Sequence, residues 1–284
     1  MSTTKRKPAE NKGLDKQAEA SAIRTSERSE ARVSEKIQVT PIAKTPEAIA
    51  FIRSSVEAAG LEISEETANQ LFRYYELLVE WNNVMNLTAV TDFEEVVRKH
   101  FADSLTLNRA MDVDKIGSLI DVGTGAGFPG LPLAICYPQI KVCLVDSLNK
   151  RVRFLQTVVD ELGLTNVTAI HARAEEGARR KDLREAFDCV VSRAVANLTT
   201  LSEYCLPFVK KNGVFTAYKS VKLEEELPQA AKALSILGGV CEKVETFQLF
   251  EMERSIVVIR KEKKTPGTYP RKAGMPSKSP LGLS

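Results

Sequence analysis

Residues 118–134 read Ser-Leu-Ile-Asp-Val-Gly-Thr-Gly-Ala-Gly-Phe-Pro-Gly-Leu-Pro-Leu-Ala, and the way this stretch is parsed decides the fold. Leu119, Ile120 and Val122 predict a short strand that runs into a turn, with Asp121, Gly123, Gly125 and Gly127 at alternate positions. Glycine tolerates backbone angles that crowd a β-carbon, so this spacing suits a tight turn passing close to a ligand. A helix is expected from about Pro129 or Gly130, and its first N–H groups have no partner within the helix. Strand, glycine turn and helix in that order can hold a cofactor at the carboxyl end of a parallel strand.

Glycine spacing alone does not choose the ligand, because it occurs in dinucleotide sites, methyltransferase sites and ordinary turns. The carboxylate of Asp121 shifts the balance. It can accept from an ammonium or, through water, from the turn, and it sits badly against a pyrophosphate. S-adenosylmethionine carries a zwitterionic amino acid and a sulfonium and no phosphate, so it is the favoured ligand. A nucleotide site and a purely structural turn are the alternatives that this stretch leaves open.

Downstream, strands and helices alternate. Strands are expected at 118–122, 141–145, 167–170, 187–191 and 213–218, then an antiparallel pair at about 241–250 and 254–260; helices fall at about 129–136, 149–162, 198–209 and 222–237. Seven strands ending in an antiparallel pair fit an α/β fold of the adenosylmethionine-dependent methyltransferase type, a doubly wound sheet with a terminal hairpin. Asp146, closing the second strand, can accept from both ribose hydroxyls of a nucleoside, or can cap the following helix. After the third strand, the backbone of Ala174 and the side chain of Glu175 are placed to read an adenine edge. After the fourth, Arg193 faces the cleft, where a guanidinium can grip a phosphate at two points; a structural ion pair is its competing role. Lys219 stands at the end of the fifth strand.

Upstream, residues 45–112 read as a helical cap. Thr45-Pro46 opens one helix and Gly60 closes it; Ser64 caps a second, with Leu71, Tyr75, Leu78 and Trp81 on its buried side. Asn82 to Thr88 breaks that helix, since amides compete for backbone bonds. A third helical stretch covers about 92–110 and is interrupted near His100. Arg98, His100 and Asp103 crowd polar groups there, either to face a substrate together with Asn86 or merely to bind the cap to the sheet. Ser104 shows no strand-to-helix elbow of the kind a hydrolase nucleophile requires.

The chain thus divides into a disordered basic extension (1–44), the cap (45–112), the catalytic domain (113–260) and a basic, proline-containing tail (261–284) packed near the active-site cleft. Residues 1–45 carry a net charge of +4 and residues 260–284 one of +6, on a body of −7. Basic ends on an acidic body suit a polyanionic partner, and Tyr269, Arg271 and Lys272 are the tail residues expected to grip RNA. No stretch of roughly 18 apolar residues is present, so no membrane span is expected. The five cysteines are unpaired in spacing and read as buried small residues, and with two histidines no metal site is expected. Cytoplasmic residence and a monomer follow as expectations.

Over about 46–284 the sequence resembles the bacterial 16S ribosomal-RNA 7-methylguanosine methyltransferase family, historically glucose-inhibited division protein B. The resemblance rests on Trp81-Asn82-x-x-Met85-Asn86-Leu87-Thr88-Ala89-Val90, Arg98-x-His100-x-x-Asp103-Ser104-Leu105 and the 121–134 segment. It continues through Asp146-Ser-Leu-x-Lys150-Arg151, Arg173-Ala-Glu175, Ser192-Arg-Ala-Val-Ala196 and Tyr269-Pro-Arg-Lys-Ala-Gly274. Ala172-Arg173 departs from the Gly-Arg that members often carry. The resemblance implies a cofactor site at Asp121, Gly123, Gly125, Gly127, Phe128, Asp146, Ala174 and Glu175, with Arg193 touching substrate. It also implies a target guanine in the 530 loop of 16S rRNA within the small ribosomal subunit, and low-level streptomycin resistance when the protein is lost.

Ring nitrogen 7 of guanine has an in-plane lone pair and no proton, so direct displacement needs no general base and catalysis reduces to alignment and a suitable polar environment. Other acceptors match less well. The chain lacks the Pro-Cys pair of a cytosine-5 enzyme, and has Ser192-Arg193-Ala194-Val195 where exocyclic adenine-amine enzymes carry Asn/Asp-Pro-Pro-aromatic. A small-molecule or protein methyltransferase is the enzymatic alternative; a non-catalytic RNA-binding or ribosome-assembly protein is the alternative of another class.

Overall fold

Strand β1 (Ser118–Val122) pairs in parallel with β2 (Lys141–Asp146) on one side and β4 (Phe187–Arg193) on the other. With β3 (Val167–His171), β5 (Val209–Lys219), β6 (Gly239–Leu249) and β7 (Met252–Lys261), it forms a seven-stranded sheet of order β3-β2-β1-β4-β5-β7-β6. The first five are parallel, and β7 inserts antiparallel between β5 and β6. This computed structural model describes residues 38–193, 196–219 and 223–282. The expected extension therefore lies almost wholly outside the described residues, as do Ala194 and Val195. From Val39 onward the chain is one compact unit.

The α/β class and the terminal hairpin are as the sequence predicts. Strand order reverses at β1, with β2 and β3 on one side and β4 and β5 on the other. In such sheets the crevice at this switch point is where ligands bind. Side chains alternate across β1: Leu119 packs into one apolar cluster with the N-terminal helices, while Ile120 and Val122 pack into the cluster on the opposite face. Asp121 therefore faces the cap. Because the first cluster runs from Ile49 through Leu119 to Val258, cap and sheet share one core.

The cap helices start and stop for local reasons. Thr45 Oγ1 accepts from the Ala48 N–H and Ser64 Oγ from that of Thr67, both typical N-caps. The helix Glu65–Met85 ends at Asn86 in a left-handed conformation, and Asn82 Oδ1 captures the N–H groups of Leu87 and Thr88 at 2.6 and 2.9 Å. The third stretch is interrupted as expected, and the interruption is a π-helical turn, Val97–Ala102, between Phe93–Val96 and Asp103–Leu105. Such turns widen a helix locally and recur at functional sites.

One expectation needs correction. Cys241 is exposed and Cys136 half-buried, so the cysteines are not uniformly interior; Cys241 lies on the edge strand β6, open on one side. The tail is stapled to the body by side-chain bonds. Arg184 donates to the carbonyls of Thr265 and Tyr269 at 3.0 and 2.9 Å, and Arg179 to that of Pro270. Arg271 grips the fully buried carboxylate of Glu203, with Nε and one terminal nitrogen within 3.1 Å of its two oxygens.

Removing the guanidinium strands a buried charge. Arg271→Ala is expected to destabilise the fold by about 3 kcal/mol, whereas Arg271→Ala on a Glu203→Gln background should cost well under half of that. Urea unfolding measures both, and equal losses would show that the pair does not anchor the tail.

Candidate active site

Gly123, Gly125 and Gly127 all take left-handed backbone angles, with φ of 74°, 64° and 101°. Gly125 needs that freedom for its dihedral alone, since a β-carbon there would meet nothing within 4 Å. Gly127 needs it for space as well: a β-carbon would stand 2.6 Å from the Tyr74 hydroxyl. That hydroxyl, delivered by the cap, donates to the Ala126 carbonyl and fixes the turn from beneath.

Two carboxylates hold the turn from its ends. Asp146, 3 % exposed at the end of β2, accepts from the Gly125 N–H at 2.9 Å and the Leu148 N–H at 2.8 Å, with Arg151 at 3.5 Å. Asp121 is fully buried; Oδ2 accepts from Thr124 Oγ1 at 2.7 Å and the Gly130 N–H at 2.8 Å. Burial pushes its carboxyl up to about 6, against the pull of those two bonds. This corrects the role expected of Asp121. It clasps the turn directly, with no intervening water needed, and it is walled off from the cavity above by the loop it holds.

That cavity measures about 420 Å³ and is lined by Gly123, Gly125, Phe128, Asp146, Thr88, His100 and Arg193, among others. Its size falls within the range of small-molecule sites. A second cavity of about 490 Å³ lies alongside, lined by His100, Asp103, Arg193, Tyr218, Lys219, Glu226 and Arg254 among others. Among the described residues, His100 and Arg193 line both.

The shared wall is tightly specified. Asp103, 4 % exposed, accepts from Arg193 at 2.7 Å and from Arg254 Nε at 2.6 Å. The His100 ring stacks on Phe128 with centroids 4.6 Å apart, and the Arg193 guanidinium lies 5.3 Å from the same phenyl centroid. The Lys99 carbonyl can only accept, so Nδ1 of His100 donates to it at 3.1 Å and Nε2 faces the Thr88 hydroxyl at 3.0 Å. Burial, with the Arg193 charge beside it, pulls this imidazole down to about 4. It is neutral at physiological pH.

Other expected site residues lie elsewhere. Glu175, 5 % exposed, accepts from the Gly274 N–H at 2.8 Å through Oε1, which ties the tail to the turn after β3. Arg271 is occupied by Glu203, which corrects its expected place among the RNA contacts; Lys272 stays exposed and Tyr269 packs half-buried on the second core cluster. Arg98 lies over the rings of Phe51 and Phe250 at 5.2 and 5.5 Å and braces the cap. Lys219 pairs with Glu226 at 2.6 Å. Asn86 is the left-handed residue closing its helix. The sequence reading missed Thr88, Arg254 and Glu226. Arg254 left a signal as a cation two residues before the apolar run Ile256–Ile259, and Thr88 as part of the Asn86-Leu87-Thr88 motif.

The family model described as rRNA small subunit methyltransferase G matches residues 67–257, which takes in the glycine turn, the residues lining both cavities and most of the hairpin. The chain belongs to that family. A relative of the same name from Lachnoclostridium phytofermentans is 51% identical over 228 residues, 80% of this chain and 94% of its own. That from Bacillus subtilis is 49% identical over 230 residues, covering 80% and 96%. As a member, the chain is an S-adenosylmethionine-dependent rRNA methyltransferase. The residues present fit the cofactor: open space above Gly125 and a carboxylate at the end of β2 on the wall of the same cavity.

Two outcomes are expected. The unfolded chain protonates His100 near 6.5 and the folded chain only near 4, so stability falls as pH drops through that window and gains nothing from this group above it. Nitrogen NMR of labelled histidine should show a neutral His100 ring down to about pH 5; a midpoint near the ordinary value would contradict the burial. Asp146→Ala, which removes the carboxylate that holds the turn and that the sequence assigns to a ribose, should weaken adenosylmethionine binding at least about tenfold by calorimetry. An unchanged affinity would move the ribose elsewhere.

Proposed function

We propose that the acceptor is ring nitrogen 7 of a guanine in the 530 loop of 16S rRNA, methylated by direct displacement without a general base. The observation that supports this most is the wall shared by the two cavities. One cavity carries the glycine turn and Asp146, the other four cations and two carboxylates, and the group on the wall they share that most resembles a base is a neutral imidazole engaged at both nitrogens. An acceptor that had to lose a proton would find no receiver at His100. Nitrogen 7 has none to lose.

Adenosylmethionine, when bound, supplies a methyl group on a sulfonium. Gly123, Gly125 and Asp146 would hold it. Arg193, fixed in direction by Asp103, stands where it can donate to the guanine oxygen beside nitrogen 7, and Phe128 with His100 keeps water from the junction. The same reading has the protein acting in the cytoplasm, as a monomer, on 16S rRNA or the small ribosomal subunit, with low-level streptomycin resistance on its loss. Lys272, and Asn86 near the rim, would meet the RNA backbone.

Small subunits from a strain lacking the enzyme should accept labelled methyl groups from adenosylmethionine, and nucleoside mapping should find a single 7-methylguanosine in the 530 loop. A label on another nucleoside, or on protein, would overturn the assignment.

A further inference from the structure

The larger cavity holds two carboxylates, and among the described residues only Asp103 has both oxygens engaged. Both oxygens of Asp103 are taken by guanidiniums. Glu226, on the helix Leu223–Leu237, engages Oε2 twice, with Lys219 Nζ at 2.6 Å and the Leu198 N–H at 2.7 Å. Among the described residues its Oε1 accepts nothing; the side chain is 24% exposed and lines the cavity. Lys219 is itself fixed, donating also to the Ala196 carbonyl at 2.9 Å. The carboxylate is thus fixed in direction through Oε2, with Oε1 unengaged among the described residues.

Guanine has a matching polarity. Nitrogen 7 and oxygen 6 are acceptors on one edge, while N1–H and the 2-amino group are donors on the other. Arg193, a donor, belongs to the wall shared with the cofactor cavity; Glu226, an acceptor, lines only the larger one. A guanine offering nitrogen 7 at the shared wall turns its donor edge away from the cofactor, into the part of the cavity that Glu226 lines. Adenine in that pose would set the lone pair of its N1 toward a carboxylate, which repels it.

We propose that Glu226 is the specificity-determining residue for the base, its Oε1 accepting from the 2-amino group of the target guanine, with Lys219 and the Leu198 N–H as its positioning partners. This rests on the guanine reading above. Enzymes that act on an extruded base read it by such contacts to its Watson–Crick edge.

The test uses small subunits reconstituted with 16S rRNA carrying either guanine or hypoxanthine at the target position. Hypoxanthine keeps nitrogen 7, oxygen 6 and N1–H and lacks only the 2-amino group. In single-turnover methyl transfer, the unaltered enzyme should favour guanine by about tenfold or more, the effect of one hydrogen bond to a charged group. Glu226→Gln keeps an oxygen for Lys219 and Leu198 and turns an amide N–H₂ toward the guanine amine. Its guanine rate should fall about tenfold and its preference to within about twofold, while the hypoxanthine rate changes little. A purely supporting role would slow both substrates equally and leave the preference intact; that result overturns the proposal. So does an unaltered enzyme with no preference, a measurement that needs no variant. If guanine subunits yield a product other than 7-methylguanosine, the reading of the function has failed; 7-methylguanosine with an unmoved preference means that Glu226 alone was misassigned.

Discussion

The carboxylate of Asp103 joins three parts of the chain that are far apart in sequence. It sits at the end of the π-helical turn, and it takes one guanidinium from the end of β4 and another from β7. Burying a lone carboxylate among apolar residues costs several kcal/mol, and the cost is offset only when its oxygens are met in good geometry. Two arginines at 2.7 and 2.6 Å meet that condition. The cap, the parallel half of the sheet and the terminal hairpin can then take only one relative placement, and the cavities are what that placement leaves open. The Tyr218 hydroxyl, donating to the Ser104 carbonyl at 2.7 Å, repeats the constraint from β5.

The cofactor side is made rigid in a different way. Tyr74 stacks on Phe101 and Phe128 with centroids 5.4 and 5.3 Å apart, and its hydroxyl meets the glycine turn. The turn is thus held by a cap residue below, by Asp121 at one end and by Asp146 at the other. None of these groups has to rearrange for the turn to keep its shape, and the N–H groups of Gly123, Gly125 and Gly127 are themselves spent on Val145, Asp146 and Thr124. Preorganisation of this kind is where much of an enzyme's electrostatic advantage resides.

Much of this was legible in the chain. Apolar runs closed by Asp146 or Arg193 marked the parallel strands because both faces of the sheet are covered, and Asn82 announced the helix break through its amide. The direction of the side chains at the site was not. Glu175, Lys219 and Arg271 have the chemistry that a ligand site needs, and each is committed to a partner that only folding brings near, 99, 7 and 68 residues away. Period and propensity describe a residue's own element; they carry no information on which distant carboxylate a guanidinium will find. Glu226 was obscured for the opposite reason. In Glu224-Glu225-Glu226 it has the appearance of a solvated helix start, and its difference from its neighbours lies in the Leu198 and Lys219 groups that reach it from other elements.

The staple between Glu175 and Gly274 also orders events in time. Glu175 emerges from the ribosome 99 residues ahead of the N–H that satisfies it. By then all seven strands, which end at Lys261, and the glycine turn have been synthesised. Contacts of long sequence separation close late, because the chain entropy they consume is recovered only once the intervening segment is folded. The flank of the site after β3 is therefore completed last, and a nascent chain passes through a stage with an assembled glycine turn beside an unfinished wall.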